Sequence, residues 1–282
     1  MIPASKNLLF GTAGIPLSAP RKSTIDGIEH IPKLGLDCLE IEFVRGIKMG
    51  SDKAKEINKT AKKHNVSLSI HAPYYINLNS KENGRRLASQ EVLLQTARLA
   101  SLCGAGTMVF HPGYYGRQTK EETFFTVKET IKEVVSLLRQ ERNPVILRPE
   151  TMGRKSQFGS LEEILFLCRE IEGILPCIDF SHIHSRRGNA NSYTEFYQIL
   201  KKIEKKLGSQ ALKNMHIHIA GTEYSNKGEI KHINLRESDF RYDEWIQALK
   251  DFNVEGRVIS ESPDQESDAC MLKELFYAQE LK

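Results

Sequence analysis

Ser67-Leu-Ser-Ile-His71, then Arg85-Arg-Leu-Ala-Ser-Gln-Glu-Val-Leu-Leu-Gln-Thr-Ala-Arg-Leu-Ala-Ser-Leu-Cys103, then Thr107-Met-Val-Phe-His111 hold one repeat of a pattern that runs through the whole chain. The two short segments read as strands ending in histidine. The segment between them spaces its apolar residues at the three- and four-residue intervals of an amphipathic helix. Working outward, the same reading predicts strands at Leu8–Gly11, Cys38–Phe43, Val145–Glu150, Leu175–Asp179, Met215–Ile219 and Arg257–Glu261. It predicts helices near 23–33, 51–64, 120–140, 160–172, 193–207, 239–252 and 267–280. Ser51-Asp52 and Ser160-Leu-Glu-Glu163 carry helix-start signals, the second with capping-box spacing. Strand starts recur about every 28 to 42 residues, the length of one strand, one helix and two short loops. No Pro/Gly/Ser-rich linker or low-complexity tract interrupts the series. Eight such units in one domain, 1–282, predict an α/β fold, a single (β/α)8 TIM barrel. A doubly wound open sheet would open on a Gly-rich phosphate turn, and Gly11-Thr-Ala-Gly14 fits G-x-G-x-x-G poorly.

Composition excludes several classes. With 40% hydrophobic residues among 282, the chain has the apolar content to offset chain entropy and is not a disordered segment. Forty basic against 36 acidic side chains leave a formal charge of +4, too small to mark a nucleic-acid binder by itself. No run approaches the eighteen or more apolar residues of a membrane span, and Met1–Phe10 lacks a signal-peptide core, so a cytoplasmic protein without a membrane partner is expected. Cys38, Cys103, Cys168, Cys177 and Cys270 form no C-x-x-C pair and read as small core residues.

In a barrel, chemistry sits where strands end. The second to sixth predicted strands end at or near Glu42, His71, His111, Glu150 and Asp179, with His182 three residues on; the seventh contains His216 and His218, and the eighth ends at Glu261. Taken singly, a strand-end His or Glu is more often a hydrogen-bonded or solvated residue than a ligand. Seven of eight strands delivering imidazoles and carboxylates to one rim make a mixed N/O set suited to zinc, and also compatible with manganese or iron. The donors outnumber the needs of one tetrahedral ion, so two or three ions sharing a bridging carboxylate are expected. His216 shares the inward face of His218 one layer deeper and reads as a core or supporting residue. His30 and His64 fall at helix ends and read as surface residues, and His184 has no assigned role. The loops on the same rim supply Arg45, Tyr74, Tyr75, Tyr114, Tyr115, Arg117, Arg154, Lys155, Arg186, Arg187, Tyr224, Lys227, Lys231 and Arg236. Cations interleaved with tyrosines suit a polyanion whose phosphates need neutralising and whose bases can stack.

Ser69-Ile-His-Ala-Pro-Tyr74, His111-Pro-Gly113, Pro149-Glu-Thr-Met-Gly153, Cys177-Ile-Asp-Phe-Ser-His182, His216-Ile-His-Ile219 and Ser260-Glu-Ser-Pro263 occur in an order and spacing that resemble the endonuclease IV family of apurinic/apyrimidinic endonucleases, in its archaeal form. The resemblance covers nearly the whole chain. It implies a xylose-isomerase-like barrel with zinc, two or three ions per chain, that cuts DNA on the 5′ side of abasic sites, with a monomer as the expected state. Carried over by position, His71 and His111 would hold one ion and Glu150 would bridge it to a second. Asp179, His218 and Glu261 would complete the second site, and His182 would belong to a third. Glu150 and Glu261 would orient the metals and either could accept a proton. Tyr74, Arg117, Arg154, Arg186, Arg187 and Lys231 would face DNA. Where the family has an Asp-x-His pair after the seventh strand, this chain reads Gly228-Glu-Ile-Lys-His-Ile233. Either Glu229 and His232 serve after a loop shift, or Lys231 replaces the third ion with its own charge. Glu42 is outside the family's ligand set. A metal-dependent sugar isomerase or epimerase on the same barrel is the alternative activity, and a non-catalytic DNA- or metal-binding member is a further one.

Overall fold

The computed structural model describes residues 8–278. The described residues hold ten strands: β1 (Leu8–Ala13), β2 (Cys38–Glu42), β3 (Ser67–His71), β4 (Thr107–Phe110), β5 (Ile146–Pro149), β6 (Cys177–Asp179), β7 (Met215–Ile219), β8 (Gly221–Ser225), β9 (Gly228–Ile233) and β10 (Gly256–Ser260). Eight pair in parallel in the order β5-β4-β3-β2-β1-β10-β7-β6. Parallel bridges Leu147–Ile174 and Glu150–Cys177 join the two ends, so the sheet closes on itself as a TIM barrel. The helices are α1 (Thr24–His30), α2 (Ser51–His64), α3 (Asn83–Cys103), α4 (Lys120–Gln140), α5 (Leu161–Glu170), α6 (Phe180–Arg187), α7 (Tyr193–Leu207), α8 (Tyr242–Asp251) and α9 (Gln265–Tyr277). The expected α9 ran to 280, and 279–280 lie outside the described residues. No described helix is long and apolar enough to cross a membrane.

The two-residue period of the strands separates two environments. Leu39, Ile41, Leu68, Ile70, Met108, Phe110, Leu147, Ile178, Ile217 and Val258 face outward and join the helices in one apolar cluster. The alternate positions, Glu40, Ser69, Arg148, Glu150, Cys177, Asp179, His216 and His218, are equally buried. The barrel's interior is therefore largely polar, and its polar groups must find partners there. At the floor, Arg148 meets this demand by donating to Thr107 Oγ1 (2.6 Å), Pro176 O (2.9 Å) and Asn214 Oδ1 (2.8 Å). All five cysteines are free thiols; Cys38, Cys103 and Cys177 are buried and Cys168 and Cys270 partly so.

Two elements depart from the expected series. The Phe180–Arg187 segment, read as loop, is helix α6, capped by Asp179, whose side chain accepts from His182 N. Residues 221–233, also read as loop, form the antiparallel β8–β9 hairpin, which stands outside the barrel sheet.

Candidate metal centre

Glu150 is the hub of the site. It is fully buried, and its carboxylate lies 3.2 Å from His71 Nε2, 3.0 Å from His111 Nε2, 3.2 Å from His182 Nδ1 and 3.5 Å from His218 Nδ1. His218 Nδ1 is also 3.1 Å from Glu261 Oε1, and His182 Nδ1 is 3.5 Å from Asp179 Oδ2. The potential ligand atoms fall into groups with all members within 4.8 Å of one another: His71–His111–Glu150, Glu150–Asp179–His218–Glu261, and His182–Glu229–His232. Glu150 Oε1, Asp179 Oδ2, His218 Nδ1 and His232 Nε2 are buried with no hydrogen-bond partner among the described residues. Buried donors and acceptors left unsatisfied this close together fit a site built for cations, and the mixture of imidazole and carboxylate suits zinc.

The third group depends on a backbone irregularity. In the hairpin Glu223 pairs with Lys231 and Tyr224 with Glu229, so Ile230 is an extra, unpaired residue in β9. Such a bulge lets residues three apart face the same way. Glu229 Oε2 reaches 3.0 Å from His182 Nε2, and His232 Nε2 is 3.7 Å from Glu229 Oε1. Lys231 points to the other side and pairs with Glu223 at 3.0 Å, both exposed. In this orientation Lys231 is turned away from the His182–Glu229–His232 group. The hairpin approaches because Gly228 (φ +101°) and Gly153 leave room: a Cβ on Gly228 would lie 2.2 Å from Gly153 O, and one on Gly153 2.8 Å from Glu229 Oε2. Glu229 N then donates to Gly153 O.

Electrostatics follow from burial in a crowded ring. Burial alone would raise Glu229 and Glu261, but His182 beside the first and His218 beside the second hold each at about 2. Glu150 is likewise held well below the usual range by His111 and its other imidazole neighbours. Burial pushes Glu42 up to about 8 and Asp179 to about 6. Burial would lower His71, but Glu42 and Glu150 raise it to about 10, and His182 and His218 are also raised. In the metal-free protein the raised groups contribute stability that is present below their unfolded pKa values and lost as pH rises through the folded ones, between about 6 and 10. The depressed carboxylates contribute stability that is present above about 4.5 and lost as pH falls toward 2. Metal-free protein should therefore melt highest near about pH 5, and zinc, which displaces the protons, should raise the melting temperature more at about pH 8 than at about pH 5.5. Equal zinc-induced shifts at both values would contradict this assignment.

A cavity of about 640 Å³ opens above the cluster, lined by Glu42, His71, Tyr74, His111, Tyr114, Arg154, Gln157, His182, Glu229, His232, Glu261 and Gln265 among others. Tyr74 stacks near-parallel on His111, with centroids 6.0 Å apart, and is half exposed. Arg45, Arg117, Arg154, Lys155, Arg187 and Lys227 are exposed. Arg186 is not a solvated loop cation: it sits in α6 and donates to Met152 O, Arg154 O, Gln157 O and Tyr115 Oη. Arg186→Ala should leave Met152 O and Gln157 O without this donor and lower stability by about 2 kcal/mol, whereas Arg187→Ala should leave the melting temperature unchanged. Thermal melts check both, and an unchanged Arg186→Ala melt would deny it the bracing role. His184, given no role from sequence, lies 3.2 Å from Asp239 and against the Tyr224 ring, tying α6 to the hairpin. His30 meets Ser18 at 2.8 Å and His64 lies 3.7 Å from Glu29, both away from the centre. Sequence reasoning missed Glu40, which lies inside the barrel 3.0 Å from His216 and 2.8 Å from His218. Its place at an inward position of β2, two residues before Glu42, was the available signal.

Residues 28–279 match the xylose isomerase-like TIM barrel family, and the chain belongs to it. It is 44% identical over 270 residues to an uncharacterized protein of Methanocaldococcus jannaschii, covering 95% of this chain and 97% of that one. It is 28% identical over 194 residues to a probable endonuclease 4 of Mycoplasma pneumoniae, covering 66% and 65%. Among solved structures, a D-tagatose 3-epimerase-like protein superposes with a TM-score of 0.71 at 20% identity, covering 95% of each chain. The chain is thus similar in sequence to endonuclease-4-type proteins and in fold to a D-tagatose 3-epimerase-like protein.

Proposed function

We propose that the protein is a zinc-dependent endodeoxyribonuclease that acts as a monomer in DNA repair and cuts DNA on the 5′ side of abasic sites. The observation that carries this reading is the third ligand group, His182, Glu229 and His232, standing beside the Glu150-centred groups. An isomerase needs fewer histidines and one ion, and leaves such a group without a task. His71, His111 and Glu150 would hold one ion, Glu150, Asp179, His218 and Glu261 a second, and His182, Glu229 and His232 a third. Bound there, the metals would neutralise the phosphodiester oxygens and lower the pKa of a water. The chain's own groups position the substrate. Arg45, Arg154 and Arg187 offer charge to phosphates from the exposed rim. Tyr74 and Tyr114, both partly exposed at the cavity, offer faces for stacking. A nucleotide without a base leaves the helix at low cost, which favours its entry into a pocket of this size.

One observation favours a sugar isomerase or epimerase: Glu42 lines the cavity, and its Oε1 is buried without a hydrogen-bond partner among the described residues, a feature suited to a polyol hydroxyl. The two readings separate in one experiment. A 5′-labelled duplex with a single tetrahydrofuran analogue should be incised once, 5′ to the lesion, with activity removed by chelator and restored by zinc, while the intact duplex is spared. No incision, together with metal-dependent turnover of a ketohexose, would overturn the nuclease reading.

A further inference from the structure

We propose that Glu40 is the positioning residue of the central metal site, fixing His218 in the tautomer and orientation that turn its Nδ1 toward Glu150, Asp179 and Glu261. The inference rests on the metal-centre reading above.

Glu40, His216 and His218 are each 0% exposed. Glu40 Oε1 lies 2.8 Å from His218 Nε2 and Oε2 lies 3.0 Å from His216 Nε2, so one carboxylate spans two imidazoles. In the sheet order β1 and β10 separate β2 from β7, so this contact crosses the barrel interior. Among the described residues no Lys or Arg lies within ion-pair distance of Glu40, and the two rings are its only charge-bearing contacts at that range. A buried carboxylate is tolerable when N–H groups face it. Both contacts are at ion-pair distance but outside hydrogen-bond geometry, and a proton on Nε2 of each ring is the arrangement that lets the carboxylate keep its charge there. In His218 it leaves Nδ1 as the lone-pair nitrogen, on the side where Glu261 Oε1 is 3.1 Å and Glu150 Oε1 3.5 Å away. A carboxylate on the far nitrogen also raises the basicity of the near one, which strengthens a metal bond. His216 comes from the same strand two residues earlier and occupies the second oxygen, preventing the carboxylate from rotating away from His218. Neither Glu40 nor His216 borders the cavity, so neither meets substrate.

Metal affinity tests the proposal independently of activity. Zinc affinity, measured by chelator competition on intact protein, should fall roughly 10–100-fold at one site in Glu40→Gln, with the number of ions bound at saturation unchanged. The visible spectrum of the cobalt-loaded variant should shift, and Glu40→Asp should recover part of the affinity. Wild-type affinity and spectrum in Glu40→Gln would overturn the proposal. If that variant does not fold, ¹⁵N-histidine spectra of cadmium-loaded wild type give the answer directly. Cadmium coupling to His218 Nδ1 with a proton on Nε2 supports it, and coupling to Nε2 overturns it. A wild type that binds no metal would overturn the metal-centre reading and this inference together.

Discussion

Glu150→Ala should lower kcat at least about a thousandfold and remove about two ions per chain in elemental analysis. The carboxylate is within 3.5 Å of His71, His111, His182 and His218, and it belongs to two of the ligand groups at once. A thousandfold corresponds to about 4 kcal/mol of transition-state stabilisation, comparable to the cost of removing one partner from a buried charged network. Glu150→Gln keeps the volume and removes the charge, so a similar loss there assigns the effect to charge and ligation, not to a cavity. A Glu150→Ala protein that retains its metal and more than about a tenth of its activity would remove Glu150 from the centre.

The second large effect should fall on His232. His232→Ala should drop the metal content by about one ion and cut kcat roughly a hundredfold or more, while Lys231→Ala stays within about twofold of wild type. His232 faces Glu229 and His182, whereas Lys231 pairs with Glu223 on the outer face of the hairpin. A cation near the leaving oxygen stabilises charge that grows only toward the transition state, so the loss should appear in kcat more than in KM. The reverse ranking, with Lys231→Ala crippled and His232→Ala silent, would favour the lysine alternative.

The barrel was legible because its signal is local. Each strand announces itself by a short apolar run, and residues such as His71, Glu150 and Glu261 fall at or just past strand ends by simple counting. The bulge at Ile230 was not legible, since the hairpin seats on Gly153, some 75 residues earlier, and nothing in Gly228–Ile233 alone records that contact. Arg186 reads as a solvated cation next to Arg187, and only the fold of the 152–157 segment over α6 turns it into a donor to three carbonyls. Glu40 sits in a strand whose neighbours are apolar, and its partners lie across the barrel on β7. Period-two alternation shows that Glu40 points inward but not what it meets there.

In the function proposed above, three ligand groups hold three ions around a phosphodiester site. An anomalous difference map at the zinc edge, from a crystal of zinc-saturated protein, tests it most directly. Three peaks are expected: one against His71 and His111, one against Asp179, His218 and Glu261, and one against His182, Glu229 and His232. A single peak among Glu150, Asp179, His218 and Glu261 at full zinc loading, with nothing beside His232, would contradict it.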